Sequence, residues 1–251
     1  MDLHGKVVLV TGAGRRLGRA SALALAQGGA DVILHVYSSA GEDVAQEVTA
    51  LGRRAYVLRA DLASVAGAAQ LSQDAVAVAG RVDVLVNNAA VFLPTPVDTL
   101  TLPTWRTIVR TNLTASFVLA LSLGREMRAR GYGKIVQIGD WSGSRPMPGY
   151  LAYCVSKGGL HALTLALAKA FAPQVQVNTV APGPVLLPVH YDAAARQAVV
   201  ARTPLRRLGQ PADVARAVRF VVEAREFVTG AIYMVDGGWL VSAAGGTDTS
   251  L

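Results

Sequence analysis

Short apolar runs alternate with longer stretches of helical period along almost the whole chain. The run "KVVLVTG" at 6–12 is apolar at successive positions and stops in a turn, as a strand buried on both faces does. "RASALALAQGGA" follows with helical composition and a Gly-Gly stop. "DVILHVY" and "RAYVLRADL" read as the second and third strands, with the amphipathic helix "AGEDVAQEVTALG" between them. A helix over 65–79, the strand "VDVLVNNA", a long helix over 102–130 and the strand "GKIVQIGD" come next. A helix over 153–172, the strand "VQVNTVAPG", the helix "PADVARAVRFVVE" and the strand "AIYMVDGG" complete the pattern. Seven strands alternating with helices predict an α/β fold: one doubly wound, seven-stranded parallel sheet flanked by helices, in a single domain over 1–251. The small, polar tail at 243–251 is expected to be mobile.

Composition narrows the class. Hydrophobic residues make up 52% and charged residues 16% of the 251, which excludes a disordered chain. Mean hydropathy is high, at +0.37, yet no uninterrupted apolar run reaches the roughly 18 residues of a spanning helix, and no secretory signal is visible. The sole cysteine, Cys154, cannot form an internal disulfide, which fits a reducing cytoplasm. His4, His35, His161 and His190 lack metal-ligand spacing, so no metal is expected. The net charge of +7 raises nucleic acid as a partner. No basic run exceeds two residues and no aromatics interleave with them, so a phosphate-bearing cofactor is the better account.

That cofactor has a candidate seat. "TGAGRRLGRA" at 11–20 lies between the first strand and first helix, where exposed amides and the helix dipole can hold a pyrophosphate. Gly12 and Gly18 give tight turning and close backbone approach. An NAD site usually has an acid at the end of the second strand to bind the ribose. Here the segment reads His35, Val36, Tyr37, Ser38, while Arg15 and Arg16 sit in the first turn. A missing acid plus added guanidinium favours the 2′-phosphate of NADP, with a pair of solvated surface arginines as the alternative. Asp61 could bind the adenine amino group or simply cap a helix. "NNAA" at 87–90 falls at the carboxyl edge of the sheet, where ligands collect, though paired asparagines also suit a plain turn.

"YCVSK" places Tyr153 and Lys157 four apart, on one helix face. A phenol is a poor acid–base group at neutral pH, and a nearby ammonium is expected to lower its pKa. With the glycine turn, "ADL", "NNAA", Asn112 in "RTNLTASF", "VNTVAPGPV" and "DGG", the chain resembles a short-chain dehydrogenase/reductase over about 5–240. The resemblance implies that Tyr153 is the acid/base, that Lys157 binds the nicotinamide ribose and tunes the tyrosine, and that Asn112 holds a water in a proton relay. It implies an NADP(H) site built from Gly12, Arg15, Arg16, Leu17 and Gly18, with His35, Tyr37 and Ser38 at the second strand. Asp61, Leu62, Asn88, Ala89 and Ala90 continue it, and Pro182, Gly183 and Val185 line the nicotinamide side. It also implies a homotetramer, which the apolar helices fit.

Two positions depart from the general family pattern. Arg16 stands where the turn usually has a glycine, and Asp140 stands thirteen residues before Tyr153, where a substrate-binding serine is usual. Both departures resemble the pteridine reductase branch, as do "TGAGRRLGR" and "NNAAVFLPTP". In that branch an aromatic corresponding to Phe92 stacks on the pterin. An ionised carboxylate cannot donate to a carbonyl oxygen as a serine does, but a carboxyl can shuttle a proton to a ring nitrogen. The expected function is therefore NADPH-dependent reduction of a C=N bond in a pterin or dihydrofolate-like molecule, with Phe92, Asp140 and Tyr153 binding it. A ketoreductase acting on a 3-oxoacyl or other carbonyl, and a non-catalytic NADP sensor, are the alternatives.

Overall fold

The computed structural model describes residues 1–38, 41–188, 191–224 and 227–242. The tail at 243–251 and His190 lie outside them. The strands are β1 Val7–Thr11, β2 Asp31–Val36, β3 Ala55–Arg59, β4 Val84–Asn87, β5 Gly133–Ile138, β6 Val175–Pro182 and β7 Ile232–Val235. They form one parallel sheet in the order β3-β2-β1-β4-β5-β6-β7. The order reverses between β1 and β4, and a crevice opens at such a switch point beyond the carboxyl ends of the strands.

Each strand is apolar on successive positions because both faces are covered. On one face Val8, Val10, Val32, Leu34 and Val86 pack against α1 (Arg16–Gln27), α2 (Glu42–Ala50) and α8 (Pro211–Glu223). On the other, Val7, Leu9, Ile33, Leu85 and Ile135 meet α3 (Val65–Ala79), α5 (Ala115–Ala129) and α6 (Leu151–Phe171). Each fully buried Leu or Ile contributes roughly 1.5–3 kcal/mol, so these two layers carry the stability.

Three differences from the sequence reading bear on function. The long helix expected over 102–130 is α4 (Leu102–Val109) and α5, joined by a π turn at Arg110–Thr114. Widened turns of this kind recur at functional positions, and this one carries Asn112. The stretch between β6 and α8, to which the sequence pattern assigned no element, contains α7 (Ala193–Arg202), capped by Asp192 on Ala195 N at 2.7 Å. The stretches 102–129 and 151–171 are also long and apolar enough to cross a membrane. Within them α5 and α6 pack on the sheet, which explains composition that an uninterrupted-run criterion does not register.

Candidate active site

The glycine turn between β1 and α1 is a cradle that side chains would fill. A Cβ on Gly18 would lie 2.0 Å from Gly12 O and 2.6 Å from Asn88 Nδ2, and Gly12 itself has φ +64. Asn88 Nδ2 donates to Thr11 O at 2.8 Å, while Thr11 Oγ1 accepts from Asn88 N and Ala89 N at 2.8 and 2.9 Å. These bonds tie the end of β4 to the turn. The first turn of α1 has neither a side-chain cap nor an acidic residue. Open amides, positive dipole and a cradle without Cβ atoms together fit a dinucleotide pyrophosphate.

His35 requires a correction. It is 2% exposed and lies beneath the turn rather than lining it. Its Nδ1 accepts from Gly12 N at 3.2 Å, which leaves Nε2–H to donate to Ala60 O at 3.1 Å. Burial holds its pKa below the ordinary 6.5, so the ring is a neutral strut between three strand ends. Arg16 is also redirected. Its φ is +53, as befits a position where glycine is usual, and its Nη2 donates to Leu186 O at 3.1 Å. That contact lies toward β6, whereas Tyr37 and Ser38 follow β2, on the other side of β1. Arg15, at the start of α1, and Tyr37 and Ser38, just after β2, are all exposed. Asp61 caps locally, accepting from Ala63 N at 2.8 Å, while Ser64 caps α3. Leu62 is buried, and Ala90 is exposed after β4.

On the far side of the crevice α6 carries Tyr153, Lys157 and His161 on one stripe. Tyr153 Oη donates to Asp140 Oδ2 at 3.1 Å, and Asp140 Oδ1 accepts from Ser142 N at 2.9 Å. The structure thus brings the two residues thirteen apart into contact. Lys157 Nζ donates to Ile138 O at 2.7 Å and lies 5.6 Å from the Tyr153 ring centre. The expected lowering of the tyrosine pKa is reversed. Burial first, then the Asp140 charge, push the Tyr153 phenol well above its ordinary range. Burial pulls Lys157 down to about 8, opposed by Asp140. Burial raises Asp140, against its hydrogen bonds from Ser142 and the Lys157 charge. The arrangement holds one proton between a phenol and a carboxylate, beside a weakened ammonium.

Asn112 lies beneath. Its Oδ1 accepts from Val91 N at 2.7 Å and its Nδ2 donates to Val91 O at 3.0 Å. The side chain therefore acts as a strand partner for the segment bearing Phe92. Nδ2 also donates to Ser156 Oγ at 3.1 Å, and Ser156 Oγ to Tyr153 O at 2.7 Å. Phe92, 42% exposed, stacks on Tyr150 at 4.5 Å and meets Tyr153 edge-on at 4.7 Å. One face of Phe92 is thus already covered by an aromatic that sequence reasoning missed. Pro182 ends β6, Gly183 N donates to Val235 O at 3.1 Å, and Val185 is buried. Among the described residues there is no cluster of three side chains suited to a metal.

A doubly wound sheet with a glycine cradle at its switch point and a tyrosine–lysine–asparagine set across the crevice defines a nicotinamide-dependent oxidoreductase. A family model described as enoyl-(acyl carrier protein) reductase matches residues 12–240, and the chain belongs to that family, the short-chain dehydrogenase/reductases. It is 36% identical over 250 residues to 2-dehydro-3-deoxy-D-gluconate 5-dehydrogenase of Pseudoalteromonas atlantica, covering 95% of this chain and 97% of that one. It is 34% identical over 244 residues to 3-oxoacyl-[acyl-carrier-protein] reductase of Synechocystis, covering 95% and 98%. Among solved structures it is similar to a blue fluorescent protein from a metagenomic library in complex with NADPH. The TM-score is 0.87 at 34% identity, with 95% of this chain and 99% of that chain covered.

Proposed function

We propose that the protein is an NADP(H)-linked oxidoreductase that reduces a carbonyl group of a small molecule, or oxidises the matching secondary alcohol. The observation that carries this reading is the buried Tyr153 hydroxyl, set one helical turn from Lys157 on a backbone that Asn112 braces through Ser156. When bound, the nicotinamide supplies the hydride. Tyr153 passes its Oη proton to the carbonyl oxygen as the carbon is reduced, and Lys157 offsets the charge left on the phenolate. Support for the chemistry comes from the two enzymes it resembles, whose names describe carbonyl–hydroxyl conversions. Support for NADP(H) comes from the carboxylate-free end of β2, from exposed Arg15, and from the NADPH-bound relative. The apolar groove between α5 and α6, lined by Leu113, Phe117, Leu163 and Ala166, supports a homotetramer. We place it in the cytoplasm on its lone cysteine.

Asp140 favours a second reading, reduction of a C=N bond in a pterin-like ring. Its carboxyl accepts from Tyr153 where a carbonyl reductase would use a hydroxyl donor, and Phe92 and Tyr150 add a flat aromatic wall. One experiment separates the readings. NADPH oxidation is followed with 2-dehydro-3-deoxy-D-gluconate, a 3-oxoacyl thioester, simple ketones, dihydrobiopterin and dihydrofolate. Turnover of carbonyl compounds alone supports the first reading and turnover of pterins alone the second. NADPH binding without turnover of any would refute both and favour a sensor.

A further inference from the structure

The segment that follows Asp140 is fixed from the C-terminal end of the sheet. Asp140 Oδ1 accepts from Ser142 N, so the carboxylate and the turn at 141–143 move as one body. That turn is pressed onto α6, since a Cβ on Gly143 would lie 2.8 Å from the Lys157 carbonyl carbon. Its other side carries Trp141, whose ring meets Trp239 edge-on with centroids 5.7 Å apart. The Arg145 guanidinium lies 5.5 Å over Trp141 and donates to three carbonyls, of Trp239 at 2.8 Å, Leu240 at 3.0 Å and Ser242 at 2.7 Å. Asp236 secures the same segment, accepting from Gly238 N and Leu240 N. Trp239 is thus buried in a socket that Arg145 and Asp236 hold shut.

A third element reaches that socket. Helix α7 buries none of its own side chains. It is anchored at its end, where the Arg202 guanidinium lies 5.2 Å over the Trp239 ring and Leu205 N donates to Gly237 O at 3.1 Å. Arg145, Trp141, Trp239 and Arg202 therefore form one continuous ladder of cation–π and edge contacts, each worth on the order of 0.5–2 kcal/mol. It runs from the residue beside Asp140 to the C-terminal end of α7.

We propose that Trp239 is a positioning residue for the Asp140–Tyr153 pair and the seat on which the C-terminal end of α7 rests. A shift of Trp239 moves Trp141, the turn rotates, and the carboxylate leaves the line of the Tyr153 hydroxyl. The inference rests on Tyr153 being the acid of the proposed reaction. Its test uses Trp239→Leu, Trp239→Phe and Arg202→Met, with ethyl 3-oxobutanoate as the carbonyl probe and tryptic cleavage after Arg196 in α7 as a substrate-free readout. Trp239→Leu is expected to lower kcat by about tenfold to a hundredfold, the upper figure being what a misplacement of about 1 Å of reacting groups can cost. Its NADPH Kd should stay within about threefold, because the glycine cradle lies across the crevice. Arg202→Met should chiefly raise KM, and both variants should be cleaved after Arg196 several times faster with NADPH present. Trp239→Phe should restore both readouts. Equal cleavage in Arg202→Met and wild type overturns the seat, and unchanged kcat in Trp239→Leu overturns the positioning role. If Trp239→Leu does not fold, the partial or full recovery in Trp239→Phe, read against Arg202→Met, decides the same points. Tyr153→Phe serves as the separate control. It should abolish turnover without changing cleavage, and retained turnover there would refute the reaction instead.

Discussion

Replacing Lys157 by methionine removes a cation that the fold holds at a cost. Lys157 is 3% exposed, and its ammonium donates to Ile138 O at 2.7 Å. Burial lowers its pKa from 10.5 to about 8. A gap of that size corresponds to ~3 kcal/mol against folding with the charged group, at about 1.4 kcal/mol per unit. The sign follows from linkage. Between about pH 8 and 10.5 the unfolded chain keeps a proton that the folded one has released, so wild-type stability rises with pH across that window. Methionine fills similar volume without charge, but it leaves the Ile138 carbonyl unpaired at a cost of about 1 kcal/mol. Lys157→Met is therefore expected to be on the order of 2 kcal/mol more stable than wild type at pH 7, by urea unfolding. That advantage should fall to zero roughly one and a half units above pH 8 and reverse to about 1 kcal/mol in favour of wild type by about pH 10.5. Its turnover should fall by roughly two orders of magnitude or more, because the buried phenol loses its charge partner. A Lys157→Met protein that is less stable at pH 7, or whose advantage does not change with pH, would refute the desolvation argument.

Three further outcomes are expected. Gly18→Ala places a methyl 2.0 Å from Gly12 O, a backbone atom that cannot yield. It should cost about 1–3 kcal/mol of stability, with NADPH affinity lost in a fluorescence titration. Phe92→Ala removes the ring stacked on Tyr150 and edge-on to Tyr153. KM should rise about tenfold, in line with an aromatic contact worth roughly 0.5–1.5 kcal/mol plus buried area, and an unchanged KM would place the substrate elsewhere. Asp140→Asn removes the anion that helps hold the Tyr153 phenol high. The basic limb of kcat/KM should move to lower pH, and a limb that stays put would show that burial alone sets it.

The fold was largely legible because both faces of the sheet are covered, and continuous apolar strands such as "VVLV" and "DVILHV" admit few other readings. The thirteen-residue register of Asp140 against Tyr153 was legible, but not the hydrogen bond between them. What was not legible are features that depend on direction rather than spacing. Arg16 and Arg15 are adjacent in sequence, yet the positive φ of Arg16 turns its guanidinium to Leu186, away from the β2 end. His35 sits at the sequence position of a ribose ligand, but the pleat points it inward, where it braces Gly12. The π turn is invisible because "RTNLTASF" has ordinary helical composition. Helix α7 escaped notice because it buries nothing, and periodicity signals only buried faces. The tyrosine pKa failed for a related reason. Spacing reported the ammonium four residues on but not the desolvation around the pair, nor the carboxylate that the fold sets against the phenol.

That carboxylate reorganises how the site must work. A serine in its place would leave the Tyr153 proton free to meet an incoming oxygen. With Asp140 there, the phenol is already engaged, and a substrate reaches the proton only by taking over one side of the bond. A carbonyl oxygen can do so as an acceptor from Tyr153, provided Asp140 is protonated or is relieved of that donor at modest cost. A ring N–H can do so from the other side, as a donor to Asp140, while Tyr153 turns to the reacting atom. Burial raises the Asp140 pKa, which favours the first route over a permanently ionised carboxylate. On the proposed reaction, substrate choice would therefore rest on the carboxylate more than on Tyr153 and Lys157.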